Sequence, residues 1–130
     1  MATTSEAKAI DLLIVQGVSN DTERATIPFS LAQNAVQKHK KVVEVVLMFD
    51  GSNLAIPGNA EKIVAGKPFE GDLLKRIQLC IDLGVKVSVC KPCLMKRKLL
   101  DAKLIDQVKI VTGNDVLSKT WAASKVLTFT

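Results

Sequence analysis

Two cysteines separated by two residues are the side chains of this sequence best suited to covalent chemistry. Cys90 and Cys93 stand in the segment VSVCKPCLMKRK (residues 87–98), directly after an apolar run and directly before a basic cluster. The thiolate is the nucleophilic and metal-binding form of cysteine, and nearby cations stabilise it. The spacing leaves three chemistries open: a dithiol–disulfide switch, half of a metal site, or one reactive sulfur beside a second thiol.

The remaining residue inventory narrows these alternatives. His39 is the one histidine and lies in the segment KHKK, far along the chain from the cysteines. A cysteine protease needs a histidine and a third orienting residue, so that class is excluded. A tetrahedral zinc site needs four ligands, which only a zinc ion shared between two chains would find here. No glycine-rich phosphate loop occurs. We therefore expect neither a bound metal nor a cofactor.

The sequence CKPC has the C-x-P-C spelling of a thioredoxin-type motif, but its surroundings differ. A thioredoxin-like domain carries a tryptophan before the first cysteine, where Val89 stands here, and a proline before a later strand. Pro92 is the last of the four prolines in this chain. The spelling alone therefore does not identify a thioredoxin-like domain.

Five apolar runs rich in β-branched residues predict the strands that position the cysteines. They cover residues 9–16, 42–49, 85–89, 108–111 and 125–129. The segments between these runs have the apolar spacing of amphipathic helices. In one of them Ile77, Cys80 and Ile81 lie on the same apolar stripe, so we expect Cys80 to be a core residue. The alternation predicts a single α/β domain over residues 1–130, a three-layer α/β/α sandwich around a five-stranded parallel sheet.

Two segments between the strands are less clearly defined. The first helix begins either near Thr26, or near Asp21 with a kink at Pro28, because a proline in a helix interior removes a hydrogen bond. The loop over residues 50–70 is long and rich in glycine and proline, and we predict a short helix near residues 59–64.

Polar turn residues follow the predicted strands at their carboxyl ends, where open α/β sheets bind ligands. These functional-edge residues are Asn20, Asp21, Thr22, Asp50, Gly51, Ser52, Asn53, Gly113 and Asn114. The cysteines follow the third strand at the same edge. There Cys90 would face the start of a helix close to Lys91, Lys96 and Arg97. We expect these cations to lower the thiol pKa of Cys90 toward neutrality.

The net charge of +5 is concentrated around and after the cysteines. Clustered lysines can neutralise phosphates, but the chain has no tyrosine, one tryptophan and four phenylalanines, which leaves no stacking platform for bases. We therefore expect these lysines to be solvated helix ends or to face an acidic partner, rather than to bind nucleic acid as a direct ligand. No apolar run is long enough for a membrane span, and the first residues lack the features of a signal peptide. The expected location is the cytoplasm.

Four segments, in order, resemble the DsrE/DsrF-like family, which includes sulfur-relay subunits of tRNA thiolation and of sulfur oxidation. They are NDTERATIPFSLAQNA (20–35), VVLMFDGSNLA (45–55), LGVKVSVCKPCLMKR (83–97) and GNDVLSKTWAASKVLTF (113–129). The resemblance implies a five-stranded parallel sheet, assembly into trimers or hexamers, and a cysteine that carries sulfane sulfur as a persulfide. Lys96 and Arg97, six and seven residues further on, place Cys90 at that position.

Three functions follow from this reasoning. The leading one is a sulfur-carrier or sulfurtransferase-like subunit that accepts sulfane sulfur on Cys90 from a protein donor and relays it to a protein acceptor. The second is a dithiol redox module using Cys90 and Cys93, and the third is a non-catalytic assembly subunit. A homo-oligomer is expected because Leu54, Ile56 and Phe69 lie in a loop that a monomer would expose.

Overall fold

The computed structural model describes residues 9–130. Its strands and helices alternate along the chain: β1 (Ile10–Gln16), α1 (Thr22–His39), β2 (Val43–Leu47), α2 (Leu73–Asp82), β3 (Lys86–Cys90), α3 (Lys91–Lys96), β4 (Lys109–Val111), α4 (Gly113–Ala122) and β5 (Ala123–Phe129). Two 3-10 helices, Phe49–Ala55 and Ala60–Lys62, lie between β2 and α2. The second falls within the stretch predicted to hold a short helix, whereas the first was not predicted.

The five strands form one sheet in the order β4-β3-β2-β1-β5, and every neighbouring pair is parallel. This confirms the predicted α/β architecture. Strand β2 lies at the centre of the sheet, and all five of its residues are buried. Its nearly continuous apolar run is typical of a parallel strand covered on both faces.

The two faces of the sheet carry different helices. Helices α1 and α2 cover one face and enclose the larger hydrophobic cluster, which includes Phe29, Val45 and Ile77. Helix α4 lies over the other face, where a smaller cluster forms around Leu13 and Val46. We call these the α1 face and the α4 face. Among the described residues, no helix has both the length and the apolar composition that crossing a bilayer requires.

Helix α1 begins at Thr22, so the earlier of the two predicted starts is correct. The Asp21 side chain caps this end of the helix. Pro28 lies inside the helix and cannot donate a hydrogen bond to the carbonyl of Arg24. The side-chain amide of Gln16 lies 3.3 Å from that carbonyl and donates to the next one, of Ala25, at 3.0 Å. A buried glutamine at the end of β1 thus compensates for the proline.

The loop residues expected to be exposed are largely covered. Leu54 is completely buried, because the first 3-10 helix folds it into the cluster beneath α1 and α2, and Ile56 and Phe69 are half-buried. Val64 in the same loop is 58% exposed, and other exposed apolar side chains occur on α4, at Leu117 and Trp121, which are 53% and 72% exposed. The prediction was therefore wrong for Leu54, while the loop exposes a different apolar residue, Val64.

Candidate functional site

Cys90 and Cys93 lie at the carboxyl end of β3, on either side of a strand-to-helix junction. Cys90 is the last residue of β3 and the residue that precedes α3, and Cys93 lies in the first turn of α3. Cys90 is 3% exposed and Cys93 is half-buried; both are free thiols. The backbone N–H and the thiol of Cys93 are near enough to the Cys90 sulfur to influence its ionisation. The two thiols are therefore neighbours at one strand-to-helix junction.

Burial raises the thiol pKa of Cys90, which is the opposite of the sequence-based expectation. The N–H of Cys93 favours the anion of Cys90 but does not outweigh the cost of removing the thiolate from water, and the neighbouring Cys93 thiol adds to the upward shift. Lys91 and Lys96 are exposed, so water screens their charge. The expectation was wrong because it counted the cations and not the burial.

A second segment approaches Cys93 from the carboxyl end of β2. The N–H of Phe49, the first residue of the 3-10 helix, lies 3.1 Å from the Cys93 sulfur. Arg97 forms an ion pair with Asp50 at 2.8 Å and also donates to the backbone carbonyl of Cys93 at 3.2 Å. The structure thus brings together the predicted residues Asp50, Cys93 and Arg97.

Gly51 permits this approach because it lies directly against β1. A side chain at Gly51 would place its Cβ 2.1 Å from the carbonyl oxygen of Gln16. That oxygen also accepts the Met48 N–H at 3.0 Å, and the Gln16 side chain accepts the N–H of Val18 at 2.9 Å. Sequence reasoning missed Gln16. The available signal was a single amide side chain at the end of an otherwise apolar strand.

The other predicted edge residues mainly stabilise the loops and helix starts. Asp21 accepts the N–H groups of Glu23 and Arg24, and Ser52 donates to the Phe49 carbonyl at 2.6 Å. The residues that the structure does not bring to the cysteines belong to other local features: Asn20 and Asn53 line a separate cavity, Thr22 begins α1, and Gly113 and Asn114 begin α4 next to its Thr112–Asp115 capping box.

The surface around the sulfurs is basic, with apolar side chains between the cations. Lys91, Lys96 and Lys98 are exposed. Phe49 and Met95 are about half exposed, at 50% and 55%. Across residues 9–130, no three side chains among the histidines, cysteines, aspartates and glutamates form a group that could hold a metal ion.

Two solved structures show the same fold. The ychN protein from E. coli is similar to this chain with a TM-score of 0.77 and 26% identity over 92% of this chain and 99% of its own. A protein of unknown function from Methanobacterium thermoautotrophicum, MTH1491, is similar with a TM-score of 0.64 and 16% identity over 88% of this chain and 98% of its own. No curated protein sequence is significantly similar to the chain.

The fold and the site define the class of protein. It is an α/β protein with a five-stranded parallel sheet and a cysteine pair at the carboxyl end of the strand next to one edge. The model of the DsrE/DsrF-like family matches residues 11–129, and the chain belongs to this family. Membership indicates a function of the sulfur-relay type.

Proposed function

We propose that this protein is a sulfur-relay subunit that accepts sulfane sulfur as a persulfide on Cys90 and transfers it to a partner protein. The observation that carries the proposal is the pair of free cysteines at the carboxyl end of β3, in a chain of this family. The activity is of the sulfurtransferase type and needs no cofactor.

The transfer can be written as two exchanges without net oxidation. The Cys90 thiolate attacks the terminal sulfur of a donor persulfide, and the donor leaves as a thiolate with the electron pair of the broken S–S bond. An acceptor thiolate then attacks the terminal sulfur carried by Cys90, which leaves as a thiolate in turn. Because burial raises the pKa of Cys90, ionisation of this thiol limits loading at neutral pH, although the nearby Cys93 N–H partly offsets the effect of burial on that pKa.

The surface next to Cys90 is available to a docking protein. Cys90 itself is 3% exposed, whereas its neighbours Lys91 and Pro92 are exposed. The exposed Lys91, Lys96 and Lys98 favour donors and acceptors with acidic surfaces. Three free thiols suit the reducing cytoplasm, where we place the protein.

We also propose that the protein is a homo-oligomer, a trimer or a hexamer. The support is the exposed apolar surface of α4, where Leu117 and Trp121 lie one helical turn apart. Sedimentation analysis at micromolar concentration should find a species larger than the 14.1 kDa chain. A mass equal to one chain at these concentrations would contradict this part of the proposal.

Intact-mass spectrometry tests the relay directly. After incubation with a sulfane-sulfur donor, the protein should gain one sulfur atom that a reductant removes, and peptide mapping should locate it on Cys90. Cys90→Ser should abolish the gain, whereas Cys93→Ser and the distant control Cys80→Ala should retain it. A sulfur mapped to Cys93 and retained in Cys90→Ser would overturn the assignment of the carrier. No gain in any variant would contradict the relay itself.

A dithiol–disulfide function is the second candidate, because the two free thiols lie three residues apart at the same strand-to-helix junction. The same experiment separates the two candidates. A redox module would lose two hydrogens on oxidation, recover them with reductant, and retain no added sulfur.

A further inference from the structure

The backbone around Phe49 is held in an uncommon conformation next to Cys93. Phe49 has a φ of 51°, in the left-handed region that large side chains rarely adopt. This conformation is the one in which its N–H meets the Cys93 sulfur at 3.1 Å, across 44 residues of sequence. A strained residue persists only where the surrounding structure stabilises it, and such residues concentrate at functional sites.

The contacts that stabilise this conformation come from two sides. On the outer side, the guanidinium of Arg97 contacts the Asp50 carboxylate at 2.8 Å and the Cys93 carbonyl at 3.2 Å, so one side chain joins the loop to the cysteine's own backbone. On the inner side, Gly51 packs on the carbonyl of Gln16. We call Phe49, Asp50 and Gly51 the Phe49 corner.

An N–H group aimed at a sulfur stabilises negative charge on that sulfur, because the charge accepts a hydrogen bond that the neutral thiol accepts only weakly. We infer that the Phe49 corner stabilises the anionic form of Cys93, and that Asp50 and Arg97 are positioning residues that hold the Phe49 N–H on the sulfur. Phe49 acts through its backbone, and its side chain has no part in this role.

Within the relay, this gives Cys93 a defined reaction. The Cys93 thiolate attacks the inner sulfur of the loaded Cys90: a Cys90–Cys93 disulfide forms, the bond between Cys90 and its sulfane sulfur breaks, and hydrosulfide leaves with the electron pair. No external oxidant is needed, because the sulfane sulfur is reduced as the two cysteines are oxidised. The corner therefore controls how long a persulfide persists when no acceptor is bound. This consequence rests on the proposed function, whereas the reactivity of Cys93 does not.

Asp50→Asn separates a positioning role from a simple charge effect. Asp50 is negative, so if it acted only through its charge, removing it would stabilise the nearby sulfur anion and speed alkylation. If Asp50 instead positions the N–H, its loss releases the corner and slows alkylation of Cys93 by iodoacetamide at pH 7, by roughly threefold to tenfold. Asp82→Asn is the matched control. Asp82 is exposed at the end of α2, near the amino end of β3 and therefore at the other end of that strand from the cysteines. We expect it to leave the rate unchanged.

Arg97→Lys provides an independent test should Asp50→Asn fail to fold. Lysine keeps the positive charge but lacks the planar guanidinium that contacts both the carboxylate and the carbonyl. A positioning role therefore predicts slower alkylation of Cys93, whereas a pure charge effect predicts an unchanged rate. Lys96→Ala removes a neighbouring exposed charge and should change the rate less than twofold, as expected for a screened cation. Rates should be resolved by peptide and recorded from pH 6 to 9, so that Cys80 and Cys90 are counted separately.

An alkylation rate that is unchanged or faster in Asp50→Asn, or unchanged in Arg97→Lys, would overturn the inference. In protein loaded with sulfane sulfur, both variants should lengthen the lifetime of the persulfide on Cys90. If loading fails altogether while the alkylation rates change as expected, the relay is wrong and the role of the corner stands.

Discussion

The α1 face and the α4 face of the sheet are covered to very different extents. Three helices and the two 3-10 helices enclose the α1 face, whereas helix α4, which has no buried residue, covers the other. On the α4 face Lys86, Lys109 and Lys119 line an open groove of about 680 Å³ beside Ser88. One face therefore supplies a packed core, and the other leaves much of the sheet accessible.

The cysteine site draws on both faces. Side chains alternate along a strand, so Val87 and Val89 pack on the α1 face while Ser88 and Cys90 point to the α4 face. Leu94 fixes α3 to the α1-face core. The reactive sulfur thus lies on the less covered side, while the helix that follows it is held by the more densely packed side. The division therefore anchors the helix that carries Cys93 in the core beside the buried Cys90.

The largest difference expected between the two faces is in how much stability is lost when a side chain is shortened. Phe29→Ala on the α1 face should reduce the free energy of unfolding by about 3–5 kcal/mol, because Phe29 is fully buried and its loss leaves a cavity. Leu117→Ala on α4 should change it by less than about 0.5 kcal/mol in the monomer, since that side chain is half exposed. Urea unfolding measures both. Similar losses for the two variants would show that the faces contribute equally.

The second largest loss of stability is expected for one of two glycine substitutions. Gly51→Ala should cost about 1–3 kcal/mol or more, because the new methyl group would lie 2.1 Å from the Gln16 carbonyl and force the backbone apart. Gly113→Ala is the control at the start of α4, where nothing lies within 4 Å of the added methyl group. It should be neutral or stabilise by up to about 1 kcal/mol, as alanine favours helix over glycine.

Thermal unfolding of the two glycine variants gives the comparison, and alkylation of Cys93 gives a second readout. Gly51→Ala should also slow that alkylation, because it displaces the Phe49 N–H. Equal stability of the two variants would mean that the contact between Gly51 and β1 relaxes without cost.

Much of the fold was predictable because its signals are local. The β-branched runs located every strand to within about two residues, and the buried centre of the sheet followed from the apolar run of β2. The contact between Phe49 and Cys93 was not predictable, because it joins residues 44 apart and depends on a 3-10 helix without periodic spacing. The pKa of Cys90 was misjudged because burial is a property of the folded chain.

The buried thiol of Cys80 should make stability depend on pH on the α1 face. Burial raises the pKa of Cys80 to about 11 from 9.0, so the folded protein keeps a proton that the unfolded chain releases. The resulting stabilisation is fully present below pH 9 and is lost as the pH rises toward 11. Between these values the wild type should lose about 2 kcal/mol more than Cys80→Ala. Parallel unfolding curves for the two proteins would show that Cys80 ionises freely in the folded state.

The smallest effect is expected for the ion pair beneath α4. Lys119 contacts Glu44, whose side chain is 10% exposed. Lys119→Met should cost about 1 kcal/mol, less than a fully buried pair, because Lys119 is about one-fifth exposed and borders the open groove. Glu44→Gln in the Lys119→Met background should recover most of that loss, since it removes the unpaired charge. A double-mutant cycle measured by urea unfolding gives the coupling between the two side chains. Breaking a fully buried pair typically costs about 3–5 kcal/mol. A coupling of about 3 kcal/mol or more would therefore mean that water does not reach this pair. The α4 face would then exclude water as well as the α1 face does.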